Sequence, residues 1–432
     1  MIFKFYIPTP DKGRDVIEGR LYEEQFGPFK DVLDWLSGDE PAFILRGAAG
    51  TGKTHLIKYM LANYLGKYQS SIALCAPTNQ AVKVLKHLST ACDCLTIYSL
   101  LGLRMEEFED TLRLEKAERS LDTNYKLIIL DESSMIGTDL LEYILESMGK
   151  GIRYLLIGDS YQINPVGERI SPVWKQFKGT KLTRVIRYDN QILRLATHIR
   201  SLKNLRGLDI RDDNDKREGV WCTSARKFES KVMKYARLGL FETESRVIAW
   251  RNNTVEHFNS LIRTAIYGEE QAKNKWLVKD RVIFTSPFEL REMAIKIFTD
   301  DEAIIENVLV GQHTEFEALT CYYLTVRLYN GRIITVKTIH ESSQTLFDAA
   351  LTEYANDARS GKKELWRKYW GLRNSVVRIR HGYALTAHRA QGSSLRNVFV
   401  AADDILANTN RAEAKRCLYT AVTRATTKVF IR

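Results

Sequence analysis

At 432 residues the chain exceeds the usual size of one domain, so two or more cores are expected. Lys and Arg number 64 against 53 Asp and Glu, a net charge of +11 that points to a polyanionic partner. Six cysteines without a CxxC pair or a His at ligand spacing argue against a disulfide framework or a zinc site. No apolar run reaches membrane-span length, and "MIFKFYIPTPDKGRD" carries charges where a signal peptide needs an unbroken apolar core, so a cytoplasmic protein with no membrane partner is expected.

From about 42 to 160, short apolar runs alternate with amphipathic stretches. "AFILRG", "SIALCAP", "YKLIILDE" and "RYLLIGD" each end in a polar or glycine-rich turn, as parallel strands joined by crossover helices do. The first leads into "GAAGTGKTH", where Gly47, Gly52, Lys53 and Thr54 satisfy GxxxxGK[ST], and the helical pattern "THLIKYMLANYL" follows. In such a loop the backbone of Gly47, Ala48, Ala49, Gly50, Thr51 and Gly52 wraps phosphates, Lys53 reaches the β- and γ-phosphates, and Thr54 offers a hydroxyl to magnesium. ATP and Mg²⁺ are therefore the expected ligands.

"LIILDESSM" places Asp131 and Glu132 at a strand end, Asp131 to hold magnesium through its water shell and Glu132 to polarise an attacking water. Alone, the pair could also be solvated turn residues, the weaker of the two readings. The second acid favours hydrolysis over phosphoryl transfer to a hydroxyl, which weakens a nucleotide-kinase reading. The next strand, "YLLIGDSYQINPV", ends near Gln162, an amide able to contact both γ-phosphate and water; by itself it would read as an ordinary loop glutamine.

Between the first-core strands, "RMEEFEDTLRLEKAERS" (104–120) is a charged insertion. A second strand set, "SRVIAW", "DRVIFTSP", "GYALTAH", "NVFVAAD" and "TKVFIR", occupies 245–290 and 382 to the end. It is interrupted at 290–378 by a region of different character, with a hairpin signal at Asn330-Gly331 and the aromatic "GKKELWRKYWGLRN", whose Trp366, Tyr369 and Trp370 are expected in a core.

Taken in order, these segments resemble the motif set of superfamily 1 helicases: "GAAGTGKT" (I), "CAPTNQAVKVL" (Ia), "TIYSLLGL" (Ib), "DESSM" (II), "GDSYQINPV" (III), "LTRVIR" (IV), "TAHRAQGSS" (V) and "YTAVTRAT" (VI). Within that superfamily the compact length, "RVIAWRNNTVEHFNSLIR" and the "TAHRAQG" form are similar to the 5′-to-3′ branch of RecD and phage Dda type. The resemblance implies an α/β fold with two RecA-like parallel-sheet cores, a small pin insertion in the first and an SH3-like β-rich accessory insertion in the second. The implied domains are 1–182 for the first core with the pin at 104–120, 183–289 plus 379–432 for the second, and 290–378 for the accessory module.

The same resemblance assigns adenine reading to Gln25, phosphate-closing roles to Arg187 and Arg424, and a link between the DNA track and the ATP site to Gln391 and Gly392. It assigns contacts with the DNA backbone to Thr78, Asn79 and Ser99 from the first core and Thr386 and His388 from the second. Tyr98 stands where relatives usually carry histidine, and could stack on a base or pack into the core. The insertion after motif Ib takes the place of a strand-separating pin, with Phe108 or Leu112 as apolar tip, or is an exposed helix. The activity implied is ATP-dependent, 5′-to-3′ DNA unwinding in phage-type replication or recombination. Its partners would be single-stranded DNA and strand junctions, with single-stranded-DNA-binding protein or replisome components, acting as a monomer in a host cytoplasm. Two rivals remain: a translocase that remodels protein–DNA complexes or RNA without unwinding, and an ATP-gated binding module without sustained turnover.

Overall fold

Apolar runs of four to six residues with no polar alternation are what strands covered on both faces require. In chain order the first part of the molecule forms β1 Ala42–Gly47, β2 Ile72–Ala76, β3 Asp93–Thr96, β4 Leu103–Phe108, β5 Thr111–Lys116, β6 Leu127–Leu130, β7 Arg153–Gly158 and β8 Gly179–Leu182. Six of them join in the order β3-β2-β6-β7-β1-β8, every neighbouring pair parallel. The strands β2, β6 and β7 are buried at every position. Helices α1 Glu23–Ser37, α2 Lys53–Asn63 and α3 Asn79–Leu85 contribute to one of the two hydrophobic clusters that include this sheet. Arg153, fully buried at the start of β7, donates to the carbonyls of Trp35, Leu36 and Glu40 and so satisfies the C-terminal end of α1.

The computed structural model describes residues 2–12, 15–16, 21–108, 111–116, 124–165, 167–184, 191–215, 217–290, 295–329, 331–362 and 364–432, and of 104–108, 111–113, 289, 295 and 296 the backbone alone. The chain forms two units: Met1–Phe228, Ile248–Arg251 and Thr386–Arg432 make up one, Glu229–Val247 and Asn252–Leu385 the other. Among the described residues no helix is long and apolar enough to cross a membrane.

The insertion after motif Ib is a hairpin and not an exposed helix: β4 and β5 pair antiparallel from Leu103↔Lys116 to Phe108↔Thr111. Its base is anchored where the Tyr143 hydroxyl donates to the Leu114 carbonyl at 3.0 Å and Lys116 pairs with Glu146. The side chains of Phe108 and Leu112 lie outside the described residues, as do 109–110 and 117–120.

Further along come β9 Asp213–Asn214, β10 Gly219–Cys222 and β11 Ser245–Ala249, the last carrying the chain across the unit boundary. The second unit holds β12 Arg281–Phe284, β13 Phe288–Leu290, β14 Ile295–Ile297, β15 Glu302–Gln312, β16 Thr320–Leu328, β17 Ile333–Ile339 and β18 Ile379–His381. The chain returns through β19 Ala384–Thr386 to form β20 Leu395–Val400 and β21 Ala425–Ile431 in the first unit. There β20, β21 and β10 pair in parallel, with β9 antiparallel at the edge.

In the second unit the strand order is β17-β16-β15-β12-β18, all antiparallel. This moves Arg281–Phe284 out of the parallel set to which the sequence pattern assigned it. A fully buried "RVIF" reads alike in either kind of sheet, so its partners had to come from the tertiary fold. Gly331 has φ 81, as a tight hairpin turn requires; Asn330 lies outside the described residues. The expected aromatic core holds only in part: Trp366 and Tyr369 are half-buried, but Trp370 is 41% exposed with the Arg373 guanidinium 5.2 Å from its ring centroid. These residues lie on the helix Leu365–Asn374, whose buried residue is Leu372, and two residues' displacement turns Trp370 to nearly the opposite side.

A buried ion pair organises the start of β12. Asp280, 0% exposed, accepts from Arg263 Nε at 3.1 Å, the Tyr383 hydroxyl at 3.1 Å and the Leu277 N–H at 2.9 Å. Burial works against its ionisation, but the hydrogen bond and charge of His381 and the charge of Arg263 outweigh it and hold the carboxyl below its usual range. Asp280→Ala strands the buried Arg263 charge, and urea unfolding is expected to show a loss of about 3–5 kcal/mol. A loss under about 1 kcal/mol, the range of exposed pairs, would remove this network from the unit's stability.

Candidate active site and nucleic-acid face

A parallel sheet brings the C-terminal ends of its strands to one edge. Here β1 ends in the glycine loop, β2 runs on to Thr78, β6 to Asp131 and β7 to Asp159. Gly50 and Gly52 both have φ 80, which L side chains rarely adopt. A Cβ on Gly47 would lie 2.4 Å from Thr51 Oγ1, whose hydroxyl donates to the Ala48 carbonyl at 2.9 Å. Lys53 begins α2 and folds its ammonium back onto the carbonyls of Gly47 at 2.6 Å and Ala48 at 3.1 Å. Its charge is thus held at the mouth of the loop by weak acceptors that a phosphate would outcompete.

The two acids follow β6. Asp131 Oδ1 accepts the Glu132 N–H at 2.8 Å, and Glu132 stands in the left-handed region at φ 53, a strain of about 1–3 kcal/mol for a non-glycine residue. Burial, followed by the Asp131 charge, pushes Glu132 up to about 7; the charges of Arg424 and Lys53 and a hydrogen bond from Gln391 oppose this. Burial also raises Asp131, against the Glu132 amide, Lys53 and Arg424. Two acids and two cations therefore share one electrostatic environment, although Arg424 lies 371 residues from Lys53 in sequence (424 minus 53).

Motifs V and VI complete the constellation within the same unit. Gln391 Nε2 donates to Ser134 Oγ at 3.2 Å and to Glu132 Oε2 at 3.5 Å. Gly392 has φ 81, and a Cβ there would come within 3.0 Å of Ala81 Cβ. Arg424 caps the helix Arg411–Thr423, the motif VI helix, and is 7% exposed; it donates to the carbonyls of Thr420 and Ser393, both at 3.2 Å. Two buried amide oxygens, Gln162 Oε1 and Gln391 Oε1, have no hydrogen-bond partner among the described residues. Orphaned acceptors of this kind are costly unless a ligand or water satisfies them.

Residues 30–218 match the AAA domain family, and residues 381–431 match the UvrD-like helicase C-terminal domain. The chain is 27% identical over 439 residues to the ATP-dependent DNA helicase dda of Enterobacteria phage T4, covering 95% of this chain and 98% of that one. It is 36% identical over 171 residues to the ATP-dependent RecD2 DNA helicase of Deinococcus radiodurans, 39% of this chain and 22% of that protein. The fold matches the crystal structure of a Bacteroides Pif1 helicase in complex with ADP-AlF3 and ssDNA, with a TM-score of 0.53 and 16% identity over 93% of this chain and 91% of that one. The chain belongs to the Pif1, Dda and RecD-like superfamily 1 helicases.

The remaining residues assigned to this helicase from its sequence are placed as follows. Gln25 reaches the loop, but its amide is already engaged: Oε1 accepts the Tyr22 N–H and Nε2 donates to the Gly52 carbonyl, both at 3.1 Å. Arg187 lies outside the described residues. Thr78 caps α3, accepting the Ala81 N–H at 3.3 Å, and Asn79 is the first helical residue. Ser99 Oγ accepts from Thr96 Oγ1 at 2.9 Å. Tyr98 is partly buried against the core, and burial raises its pKa. Thr386 Oγ1 accepts the Arg389 N–H at 3.4 Å, and His388 Nε2 sits 3.7 Å from Glu413 Oε1 on the motif VI helix, with burial lowering the His388 pKa.

Three residues at this site went unmarked in the sequence. Asp159, Arg416 and Tyr419 link motif III, the phosphate loop and the motif VI helix. The signal was the presence of Asp159 and Tyr419 inside the quoted motifs III and VI; Arg416 lies three residues before motif VI and had none. A lone Asp after glycine and a Tyr within a helix otherwise read as structural.

Proposed function

We propose that this chain is an ATP-driven DNA helicase that moves 5′-to-3′ along single-stranded DNA and opens duplex ahead of it. The observation that carries the ATPase reading is the meeting of Lys53, Asp131, Glu132, Gln391 and Arg424 at one strand edge. In this reading Glu132 takes the proton of the attacking water, Gln162 senses the γ-phosphate, and Arg424 with Arg187 steadies the charge that develops on it. Asp131 and Thr54 would hold magnesium, and the orphaned amide oxygens and paired acids suit an ion–phosphate ligand. When bound, the ion supplies neutralising charge at the phosphate oxygens. Gln25 braces the loop and reads adenine on exchange of its internal bonds.

Thr78, Asn79, Ser99, Thr386 and His388 hold the DNA backbone, Tyr98 supports them from the core, and the β4–β5 hairpin splits the duplex through Phe108 or Leu112. The phage T4 and Deinococcus relatives are named as ATP-dependent DNA helicases, and the Bacteroides Pif1 structure contains both ADP-AlF3 and ssDNA, which supports these ligands. Polarity rests on the likeness to the RecD and Dda type. Action as a monomer in replication or recombination, in a host cytoplasm and beside single-stranded-DNA-binding protein, rests on the likeness to the phage relative.

Strand displacement on paired 5′-tailed and 3′-tailed duplexes tests activity and direction together. ATP-dependent release from the 5′-tailed substrate alone is expected. Release from the 3′-tailed substrate alone reverses the polarity, and DNA-stimulated ATPase without release from either leaves a translocase.

A further inference from the structure

The motif VI helix grips two loops of the nucleotide site, and one tyrosine makes the grip directional. Tyr419 is 2% exposed; its hydroxyl donates to Asp159 Oδ2 at 2.7 Å and accepts the Ala49 N–H at 3.0 Å. A phenol has one proton to give. Because Asp159 takes it, the lone pair is left to meet Ala49, in the middle of the phosphate loop. Asp159 is itself fixed: it is 1% exposed and Oδ1 accepts the Tyr161 N–H at 3.0 Å. One turn earlier on the helix, Arg416 Nη1 donates to the carbonyls of Ser160 at 2.6 Å and Gln162 at 2.7 Å, tying down the loop that carries the orphaned Gln162 amide. A turn before that, Glu413 lies beside His388 of motif V.

The helix therefore runs from a residue assigned to the DNA face to the phosphate loop and motif III, with a polar contact at each turn. We infer that Tyr419, oriented by Asp159, is a positioning residue that makes the geometry of the phosphate loop follow the placement of the motif VI helix, and so couples ATP turnover to bound DNA. The inference rests on the ATPase reading above. Burial, followed by the Asp159 charge, raises the Tyr419 phenol, so it stays protonated and keeps its orientation across the working pH range.

Tyr419→Phe removes one oxygen and keeps the ring. The expected result is a fall of about tenfold in the ratio of DNA-stimulated to basal ATPase, the effect of one charge-assisted hydrogen bond expressed in the stimulated state. The KM for ATP should shift by less than about twofold, because the tie acts on turnover more than on ground-state binding. Asp159→Asn, which keeps an acceptor for the phenol, should retain most of the ratio, and Asp159→Ala should lose it. Equal falls in basal and stimulated rates, leaving the ratio unchanged, would make the contact merely structural and overturn the inference, as would a wild-type ratio in Tyr419→Phe. Wild-type protein in the same assay separates the two levels: no ATPase stimulation by DNA there overturns the functional reading itself.

Discussion

Lys53→Ala is expected to abolish ATP turnover and strand separation while leaving nucleotide-free binding of single-stranded DNA within about twofold of wild type, the range of a substitution remote from that surface. The Lys53 ammonium is held 2.6 Å from the Gly47 carbonyl, at the mouth of a loop whose glycines open it to phosphate. A unit charge about 4 Å from a phosphate charge contributes roughly 4 kcal/mol at an effective dielectric near 20. That corresponds to about a thousandfold in rate if it is felt in the transition state. The residues assigned to DNA begin at Thr78 and are built on other strand ends, so their contacts should survive. Phosphate release, strand displacement and fluorescence anisotropy on a labelled strand measure the three quantities. Loss of DNA binding without nucleotide would mean that the phosphate and DNA sites are misplaced.

Arg424→Ala is expected to lower the turnover number by about 10³ to 10⁵, with a much smaller change in the KM for ATP. Its guanidinium is 7% exposed and its charge reaches both Asp131 and Glu132. Bonds to the Thr420 and Ser393 carbonyls hold it to its own helix and the motif V loop, neutral acceptors that it can exchange for phosphate oxygens. Arg424→Lys keeps the charge and loses the planar fork, so it should recover only part of the rate. Thermal unfolding of both variants separates loss of chemistry from loss of the buried bonds. An unaltered turnover number in Arg424→Ala would remove it from the charge-stabilising role.

Much of the nucleotide site was legible because its chemistry is local. A strand, a glycine-rich turn and a helix start adjoin one another in the chain, so "AFILRGAAGTGKTH" carries both the sequence and the backbone geometry of a phosphate cradle. Asp131 and Glu132 were legible for the same reason, as the first polar residues after a buried strand. The left-handed backbone of Glu132 and its rise toward neutrality were not, since they depend on burial and on charges brought from Lys53 and Arg424. The 104–120 segment shows the converse case: its charge made helix and hairpin equally plausible, and the pairing of Leu103 with Lys116 decided it.

By itself, then, the sequence determined the α/β character, the phosphate loop, the acid pair and the order of the motifs, all carried by residues that are neighbours in the chain or by strand patterns that burial imposes. The tertiary structure decided which distant residues meet. It joined Arg281–Phe284 to an antiparallel sheet, turned Trp370 outward, engaged the Gln25 amide with Tyr22 and Gly52, and set Tyr419 between Ala49 and Asp159. The physical reason is that a hydrogen bond needs a partner within about 3 Å, and residues 370 positions apart, as Ala49 and Tyr419 are, acquire that distance only when the chain has folded.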